Sequence, residues 1–467
     1  MKESLVGVEM PGAAEPLSGE VLKPGDSGFD AARMSWNRKF DRKPALIVRC
    51  QSTDDVVRAV KAAAQYNLPI AVRSGGHSPA GFSTIDGGIL IDLSLMKDMA
   101  IDLDRRVATA QPGLTWREYS TQATQYGLGT PAGDTATVGV GGLTLGGGIG
   151  WLVRKYGMTI DHMLSAEVVT AKGEVVTASE TENPDLFWAL RGGGGNFGIV
   201  TRFEFGLVPV GNVLGGMLVY PADPEVLNAV AKAAAEAPDE LTIISMVMKT
   251  PPIPFLPPDL YGKLHYHVIV CYAGDPAEGA KALEPLRSCG PVLGQMLAPM
   301  PYPGMFKFNE EAEAGFPCSM RSHFLETMDV DAAATIIEHA ERCTSPFGMV
   351  QIRVLGGALA RVANDATAFA HRNAGILVGI INPWEGGDAE QAKQHQAWTE
   401  ELWKALKPKS DGTYVNFCGD DNSKEYANST YPSATYERLA SIKTRWDPAN
   451  LFCANCNILP GSLKGTV

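Results

Sequence analysis

Three short segments hold a dense share of this chain's glycines, and they constrain its fold more than any other feature. They are residues 73–78 (RSGGHS), 139–150 (GVGGLTLGGGIG) and 192–198 (GGGGNFG). Apolar, strand-like runs adjoin them, so we interpret them as tight backbone segments rather than flexible linkers. Glycine lacks a Cβ, which lets backbone N–H groups approach a ligand and form anion-binding nests. Together the segments predict a cofactor with a pyrophosphate; the alternative is tight turns that pack strand on strand.

The third segment formally matches the GxGxxG pattern of NAD-binding proteins over residues 193–198. That fingerprint requires a strand before the glycines and a helix after them. Here ENPDLFWALR, which has a helical pattern, precedes the glycines, and IVTRFEFGLV, which has a strand pattern, follows them. The order is reversed, so the sequence argues against NAD-type binding. These glycines instead allow a helix to end close to a strand beside the cofactor.

Composition narrows the classes of function. The chain has 467 residues, of which 45% are hydrophobic and 20% charged, as in a globular protein with two or three compact units. A net charge of −12 argues against nucleic acid or an anionic membrane as a partner. No stretch approaches the ~20 apolar residues of a membrane span, and no signal peptide is evident, so we expect a cytoplasmic protein. The eight cysteines include one CxxC pair, Cys453 and Cys456, which we expect to be plain thiols without a metal.

Periodicity predicts a different organisation in the two halves of the chain. Residues 45–95 predict strand, helix, strand, turn and strand, a βαβ unit whose helix is capped by Thr53. A helix is expected over 114–126, and a hairpin over 165–179 turns at Lys172 and Gly173.

From about residue 206 the pattern predicts an α+β domain whose sheet is covered by helices on one face. Helices are expected at 225–237, 275–288, 329–342 and 388–406, strands at 242–249, 264–273, 350–361 and 376–383, and a last helix at 434–446.

Four stretches carry a family resemblance: RSGGHS, VGVGGLTLGGGIGWLVRKYG, DLFWALRGGGGNFGIVT and the tail YERLASIKTRWDPANLF. Together they resemble the berberine bridge enzyme-like oxidases of the vanillyl-alcohol-oxidase superfamily, over roughly 20–205 and 411–462. The opening of the chain is similar to the bacterial 6-hydroxy-nicotine oxidase branch. The resemblance implies an α+β fold with a PCMH-type, two-subdomain FAD-binding domain at 1–205. It also implies a substrate-binding domain at 206–410, with an antiparallel sheet covered by helices, and a C-terminal berberine-bridge-like segment at 411–467 that returns to the FAD domain.

The resemblance also implies how FAD is held. His77 matches the histidine that bonds covalently to the 8α-methyl carbon of the flavin. Thr135 stands where many relatives have a cysteine linked to flavin C6, so we expect a single covalent link. Val138 falls at the position of the family's oxygen gate, where a small side chain is associated with oxidases. The cofactor-binding residues expected on this basis are Arg73, Ser74, Gly75, Gly76, His77, Ser78, Thr135, Val138, Gly139, Gly141, Gly142, Leu143, Gly146, Gly147, Gly148, Gly150, Gly198, Val200, Asn416, Asn455 and Asn457.

The catalytic base cannot be transferred in the same way. Tyr414 and Asn416 match the family's YxNY motif and are the catalytic candidates, but Phe417 replaces the tyrosine most often assigned as base. The alternatives left open are His265, His267, His323, Glu326, Asp420 and Asp421, or a reaction that needs no strong base. Residues 356–362 (GGALARV) resemble a substrate-domain strand that faces the flavin.

The resemblance therefore implies an FAD-dependent oxidase. It would remove hydride from a C–OH or C–N centre of a small organic substrate and reduce O2 to H2O2. Two alternatives remain open: a dehydrogenase of the same fold with another electron acceptor, and a non-catalytic protein that binds flavin or small molecules. The expected partners are a small-molecule substrate and O2, with no nucleic acid and no membrane. The sequence leaves the substrate and the oligomeric state undefined.

Overall fold

The computed structural model describes residues 17–386, 389–419, 427 and 429–461. Within these ranges the chain has the predicted α+β fold. The strands, in chain order, are β1 Glu20–Leu22, β2 Leu46–Arg49, β3 Ile70–Arg73, β4 Ile89–Asp92, β5 Met99–Asp102, β6 Val107–Ala110, β7 Leu128–Gly129, β8 Met163–Val169, β9 Val175–Ser179, β10 Ile199–Gly206, β11 Val208–Pro209, β12 Asn212–Pro221, β13 Leu241–Lys249, β14 Leu264–Tyr272, β15 Gly294–Pro301, β16 Cys318–Leu325, β17 Met349–Val354, β18 Ile376–Pro383 and β19 Ser410–Gly412.

The α-helices of the described ranges lie between these strands or follow the last of them. They are α1 Phe29–Arg33, α2 Thr53–Tyr66, α3 Trp116–Thr124, α4 Val140–Gly146, α5 Val153–Tyr156, α6 Pro184–Leu190, α7 Pro224–Glu236, α8 Pro276–Ala282, α9 Glu284–Arg287, α10 Val330–Glu341, α11 Ala358–Arg361, α12 Ala389–Leu406 and α13 Ser433–Trp446.

The first half of the chain builds two sheets that carry the glycine-rich segments. A four-stranded sheet has the order β1-β2-β4-β3, in which β2 and β3 both run parallel to β4. The predicted βαβ unit is therefore confirmed, with β4 inserted between its strands. A five-stranded antiparallel sheet has the order β5-β6-β10-β8-β9, and β8 and β9 form the predicted hairpin.

The second half builds one antiparallel sheet of eight strands, in the order β15-β12-β14-β13-β17-β18-β16-β19. Helices α7, α10 and α12 bury one face of this sheet, with side chains such as Leu227, Ile336 and Leu402 in a shared core. Successive side chains of a strand point to opposite faces, so every second residue lies on the opposite, helix-free face. That face is directed towards the glycine-rich segments of the first half, with which it lines a common cavity.

Local predictions failed at three places, each for a physical reason. Helix α2 is capped by Ser52 and not Thr53, because Ser52 Oγ accepts from the N–H of Asp55 at 3.2 Å in a capping box. The strand expected over 350–361 ends at Val354; two glycines with positive φ then turn the chain into helix α11. The helix expected over 275–288 is divided into α8 and α9. In the described ranges, no helix is long and apolar enough to cross a membrane.

Candidate functional site

A cavity of about 1170 Å³ lies between the glycine-rich segments and the open face of the eight-stranded sheet. Its volume exceeds the roughly 300–1,000 Å³ of sites for drug-sized ligands, which leaves room for a dinucleotide and a small second molecule. Its walls are formed by the first-half loops, the sheet face with two of its connections (251–255 and 307–316), and residues from 414–418 and 452–456.

The first two glycine-rich segments contact each other back to back on one wall. A Cβ placed on Gly139 would lie 2.2 Å from the backbone N of Gly75 and 2.2 Å from Ser74 Oγ. Ser74 Oγ also donates to the carbonyl of Pro112 at 2.5 Å and accepts from the N–H of Gly141 at 3.3 Å. These contacts require glycine at 75 and 139, because any side chain would force the loops apart.

Gly142 is glycine for a different reason. It lines the cavity, and a Cβ placed there would meet no protein atom within 4 Å. The fold around it therefore does not demand glycine, whereas a ligand lying against the backbone would. Gly142 sits in the first turn of α4, next to the helix N-cap Gly139, where backbone N–H groups remain without helical partners. The cradle thus fits a cofactor that makes close backbone contact.

The later glycines of the second segment face protein instead. A Cβ on Gly146 would lie 2.0 Å from Asn416 Oδ1, and one on Gly148 would lie 2.0 Å from Thr159 Oγ1. A Cβ on Gly147 would lie 2.5 Å from Met158 Cε, and one on Gly150 would lie 2.1 Å from the carbonyl oxygen of Ala132. This run packs α4 against its neighbours and lies behind the cavity wall.

His77 stands at the cavity wall, half-buried, directly after the Gly75–Gly76 turn. Its Nε2 is 2.9 Å from Thr137 Oγ1, and its ring stacks on Trp36 with centroids 5.4 Å apart. Burial lowers the pKa of His77 to about 4, so the imidazole is neutral at physiological pH. A neutral imidazole keeps a nitrogen lone pair that can form a bond. Arg73 supports the turn from behind through an ion pair with buried Asp92 at 2.6 Å.

Tyr414 and Asn416 attach the C-terminal segment to α4. Tyr414 Oη accepts from the N–H of Gly148 at 2.9 Å and from Asn416 Nδ2 at 3.0 Å. Asn416 Nδ2 also donates to the carbonyl of Leu143 at 3.0 Å. Burial raises the pKa of Tyr414 to about 12, which keeps the phenol protonated. Both side chains line the cavity, so they hold its wall together and also face its interior.

The third glycine-rich segment is anchored to the tail by a buried ion pair. Lys443 Nζ lies 2.6 Å from Asp447 Oδ2, and both side chains are fully buried. The same ammonium donates to the carbonyls of Asn196 and Phe452 at 2.7 and 3.2 Å. Asn196 in turn donates to the carbonyl of Cys456 at 3.1 Å. The pair therefore fixes two cavity-lining strips to each other.

The sheet contributes a polar cluster in the middle of its open face. Arg353 Nη2 lies 2.7 Å from Asp134 Oδ2 and 2.7 Å from Gln351 Oε1, and Nη1 donates to the carbonyl of Ile149 at 2.7 Å. The guanidinium also lies 5.0 Å from the ring centroid of Phe417. This cluster joins the first-half loop that bears Asp134 to the sheet.

The candidate bases are distributed over different places. His267 lines the cavity, and its Nε2 lies 3.0 Å from Thr250 Oγ1, which is also 2.7 Å from His265 Nδ1. Tyr266 lies in the helix-covered core, as the alternation along the strand predicts. His323 also lies on the helix side, stacked on Trp403 at 5.3 Å, and Glu326 is exposed outside the cavity. Asp420 and Asp421 lie outside the described residues.

The cavity brings together most of the predicted cofactor residues. Those that line it are Ser74, Gly75, Gly76, His77, Ser78, Thr135, Val138, Gly139, Gly141, Gly142, Leu143, Gly198, Val200, Asn416 and Asn455. Those that lie outside the lining are Arg73, Gly146, Gly147, Gly148, Gly150 and Asn457. Residues 356–362 do not line it either; a Cβ on Gly357 would lie 2.3 Å from the carbonyl of Arg154. The expectation that they form a flavin-facing strand is wrong.

Sequence reasoning missed several residues of the site. Thr137, the hydrogen-bond partner of His77, lies between the predicted cofactor residues Thr135 and Val138 and could have been found there. Asp134, Gln351 and Arg353 gave no local signal, because the cluster forms only when β17 packs against the first half. The same holds for Trp36, which stacks on His77.

A glycine-lined cradle that faces the open side of an antiparallel sheet across one cavity is the architecture of a flavin-binding oxidoreductase. A family model of the FAD binding domain matches residues 44–179, and a model described as berberine and berberine like matches residues 413–459. The FAD-linked oxidoreductase YgaK of Bacillus subtilis is 33% identical over 454 residues, which are 95% of this chain and 97% of that protein. The chain belongs to the berberine bridge enzyme-like FAD-linked oxidoreductases.

Two further comparisons place it within that family. The (R)-6-hydroxynicotine oxidase of Paenarthrobacter nicotinovorans is 32% identical over 462 residues, 96% of this chain and 98% of that protein. The crystal structure of the 6-hydroxy-D-nicotine oxidase of Arthrobacter nicotinovorans superposes with a TM-score of 0.84 at 31% identity, over 95% of this chain and 99% of that one. A chitooligosaccharide oxidase shares the fold, with a TM-score of 0.83 at 24% identity over 95% and 97% of the two chains.

Proposed function

We infer that this FAD-linked oxidoreductase is an oxidase. It removes hydride from a C–OH or C–N centre of a small organic substrate and passes the electrons to O2, which yields H2O2. The observation that carries the proposal is the single cavity shared by the Gly142 cradle, His77 and the open sheet face. FAD, when bound, supplies the redox chemistry, and the chain positions both molecules and excludes water. The oxidases among the similar proteins support this assignment.

His77 is assigned as a covalent tether for the flavin. Its neutral imidazole, its place at the wall and its hydrogen bond to Thr137 favour bond formation at a ring nitrogen. A second link is not expected, because Thr135 has no thiol. Cys456 also lines the cavity, but burial raises the pKa of its thiol to about 12, so it remains protonated and a poor nucleophile.

The remaining cofactor contacts are assigned to the backbone of residues 74–78 and 139–143 and to Asn455. Val138 lines the cavity beside Gly139 and is the proposed point of oxygen access. Tyr414 and Asn416 remain the catalytic candidates of the C-terminal segment. Since Tyr414 Oη accepts two hydrogen bonds and the phenol is held protonated, positioning of the wall is the role that its contacts support best.

The boundaries of the parts stay as expected from the sequence: an FAD-binding domain at 1–205, a substrate-binding domain at 206–410 and a returning segment at 411–467. The eight-stranded sheet, which runs from Asn212 to Gly412, supports this division. A cytoplasmic location also remains a proposal.

The tether is tested by denaturing the purified protein in acid and asking whether the yellow flavin stays with the polypeptide. We expect wild type to retain it and His77→Ala to release it. Thr137→Ala serves as a control that removes the histidine's hydrogen-bond partner but leaves the bonding atom. Flavin that remains attached in His77→Ala, or a flavin-linked peptide that contains a cysteine, would contradict the assignment.

The oxidase activity is tested separately by following O2 consumption during turnover. Stoichiometric H2O2 is expected. Reduced flavin that persists for minutes in air-saturated buffer, but is reoxidised by a quinone, would show a dehydrogenase instead.

A further inference from the structure

We propose that the substrate of this site is an apolar aromatic alcohol or amine that carries no carboxylate, and that carbohydrates are excluded. The inference rests on the proposed function, because it assigns the half of the cavity that the cofactor cradle does not use. Three independent features of the sheet half support it: the methionines of its face, the commitment of its polar groups, and the charge at its mouth.

Methionine dominates the sheet side of the cavity. Six of the chain's 16 methionines line it, from five different strands: Met217, Met246, Met248, Met296, Met320 and Met349. Pairing places Met248 opposite Met349, and Met349 opposite Ile381, so they form a continuous apolar row across the sheet. Thioethers are flexible and polarizable and pack well against aromatic edges. Such a surface suits a flat apolar ring and offers nothing to sugar hydroxyls.

The mouth of the cavity continues this apolar surface. Residues 251–255 (PPIPF) line it on one side, and Phe308 also lines it. Phe316 and Phe347, which stack with ring centroids 6.0 Å apart, lie on the lining as well. The side chains of these prolines and phenylalanines cannot form hydrogen bonds. A polar substrate that enters past them would therefore lose hydrogen bonds to water without replacement.

The Arg353 guanidinium and one ring nitrogen of His267 are already committed to protein partners. Arg353 is satisfied by Asp134, Gln351 and the carbonyl of Ile149, and His267 Nε2 by Thr250. Because Arg353 donates to Gln351 Oε1 from both Nε and Nη2, the amide NH₂ of Gln351 must point away from Arg353. It offers donors for about one polar atom of a substrate.

A sugar ring carries several hydroxyls, and each one left unpaired in this cavity costs about 1–3 kcal/mol. One polar substituent on an aromatic frame, in contrast, can be satisfied by Gln351 while the ring lies on the methionines. The small number of hydrogen-bonding groups available to a substrate therefore favours an aromatic substrate over a carbohydrate.

Charge at the mouth selects against a carboxylate. The exposed ionisable side chains that line the entrance are Lys307, Glu310, Glu311 and Glu385, three carboxylates and one ammonium. Deeper in, the positive charge of Arg353 is neutralised by Asp134 at 2.7 Å. Lys307 has no ion-pair partner in the described lining, but it is exposed and outnumbered by the three carboxylates, so the net charge of the entrance repels an anion. A neutral alcohol or an amine meets no such barrier.

The proposal is tested on the flavin-loaded enzyme by adding 2-naphthalenemethanol, 6-carboxy-2-naphthalenemethanol or cellobiose. Two readouts are used: the perturbation of the visible flavin spectrum, which reports binding, and anaerobic bleaching, which reports oxidation. We expect the first compound to bind at least about tenfold more tightly than either of the others. Met246 lies between His267 and Gln351 in the strand pairing, so it should contact the ring.

Variants then locate the binding surface. Met246→Asn should weaken binding of 2-naphthalenemethanol about tenfold, and Met246→Leu should weaken it less. Met300→Asn makes the same replacement outside the cavity lining and should leave binding unchanged, with the flavin content as a control on folding. Tighter binding or oxidation of cellobiose would overturn the proposal while the oxidase assignment stands. Absence of binding by 2-naphthalenemethanol would also overturn it. A protein that holds no flavin would instead overturn the proposed function.

Discussion

The two walls of the cavity are built by different means. The glycine-rich part of the first-half wall consists of backbone: Gly75 and Gly139 contact each other, and no described side chain covers Gly142. The sheet wall consists of side chains from alternate positions of seven strands, with Arg353 as its one buried cation in the described lining. Backbone recognition suits a cofactor whose phosphates and ring edges are constant. Side-chain recognition can change residue by residue, so the two walls separate the constant chemistry from the choice of substrate.

We expect the largest loss of stability in the backbone wall where a single buried group, Lys443, holds several backbone carbonyls. Lys443→Met would leave Asp447 charged and unpaired in a fully buried place, and it would release the carbonyls of Asn196 and Phe452. Breaking such a pair costs about 3–5 kcal/mol of unfolding free energy. Urea denaturation measures this. Arg445→Met removes an exposed pair with Asp185 from the same helix and should cost less than about 1 kcal/mol. Equal losses would show that Lys443 is not a special anchor.

The next test separates glycines required by the fold from those required by the ligand. In Gly139→Ala the new Cβ would lie 2.2 Å from the backbone of Gly75, so the two loops must move apart, at a cost of about 2–3 kcal/mol. Gly142→Ala should leave the unfolding free energy nearly unchanged but reduce the flavin bound per chain. A denaturation curve gives the unfolding free energy, and a visible spectrum gives the flavin bound per chain. A destabilised Gly142→Ala protein with full flavin content would remove the argument for a cradle there.

The same contrast explains what could be predicted from the sequence. Close backbone contact restricts positions 75 and 139 to glycine, so it leaves a local signal, and the cavity wall with His77 could be located. Arg353, Gln351 and Met246 come from strands that are far from that wall in sequence, and each residue alone is unremarkable. These residues come together only when the strands pair into the sheet, so no local sequence pattern indicates them. The strand expected through residue 361 failed for a related reason: Gly356 and Gly357, both with positive φ, end it where β17 meets Arg154.

The contact between the C-terminal segment and the glycine-rich wall can be weakened by removing one atom. Tyr414→Phe removes the oxygen that accepts from the N–H of Gly148, which is a buried donor just behind that wall. An unsatisfied buried donor costs about 1–2 kcal/mol. We expect a corresponding loss of unfolding free energy, with the amount of flavin bound per chain unchanged. A much larger loss of turnover than of stability would instead favour direct participation of Tyr414 in catalysis.

The smallest expected effect is a pH dependence of the unfolding free energy, which His323 in the sheet half causes. Burial lowers the pKa of His323 to about 4, whereas an unfolded histidine titrates near pH 6.5. Between these values the unfolded chain binds a proton that the native protein does not, so stability must fall as the pH is lowered from 6.5 towards 4. In His323→Gln this contribution disappears, and the loss of stability from pH 7.5 to 5 should shrink by on the order of 1 kcal/mol. The comparison uses the difference between the two pH values, because lost stacking on Trp403 lowers the variant's stability at both. Parallel pH profiles would mean that native His323 takes up its proton near pH 6.5, as in the unfolded chain, with its bonds to Ser410 and Trp403 rearranged.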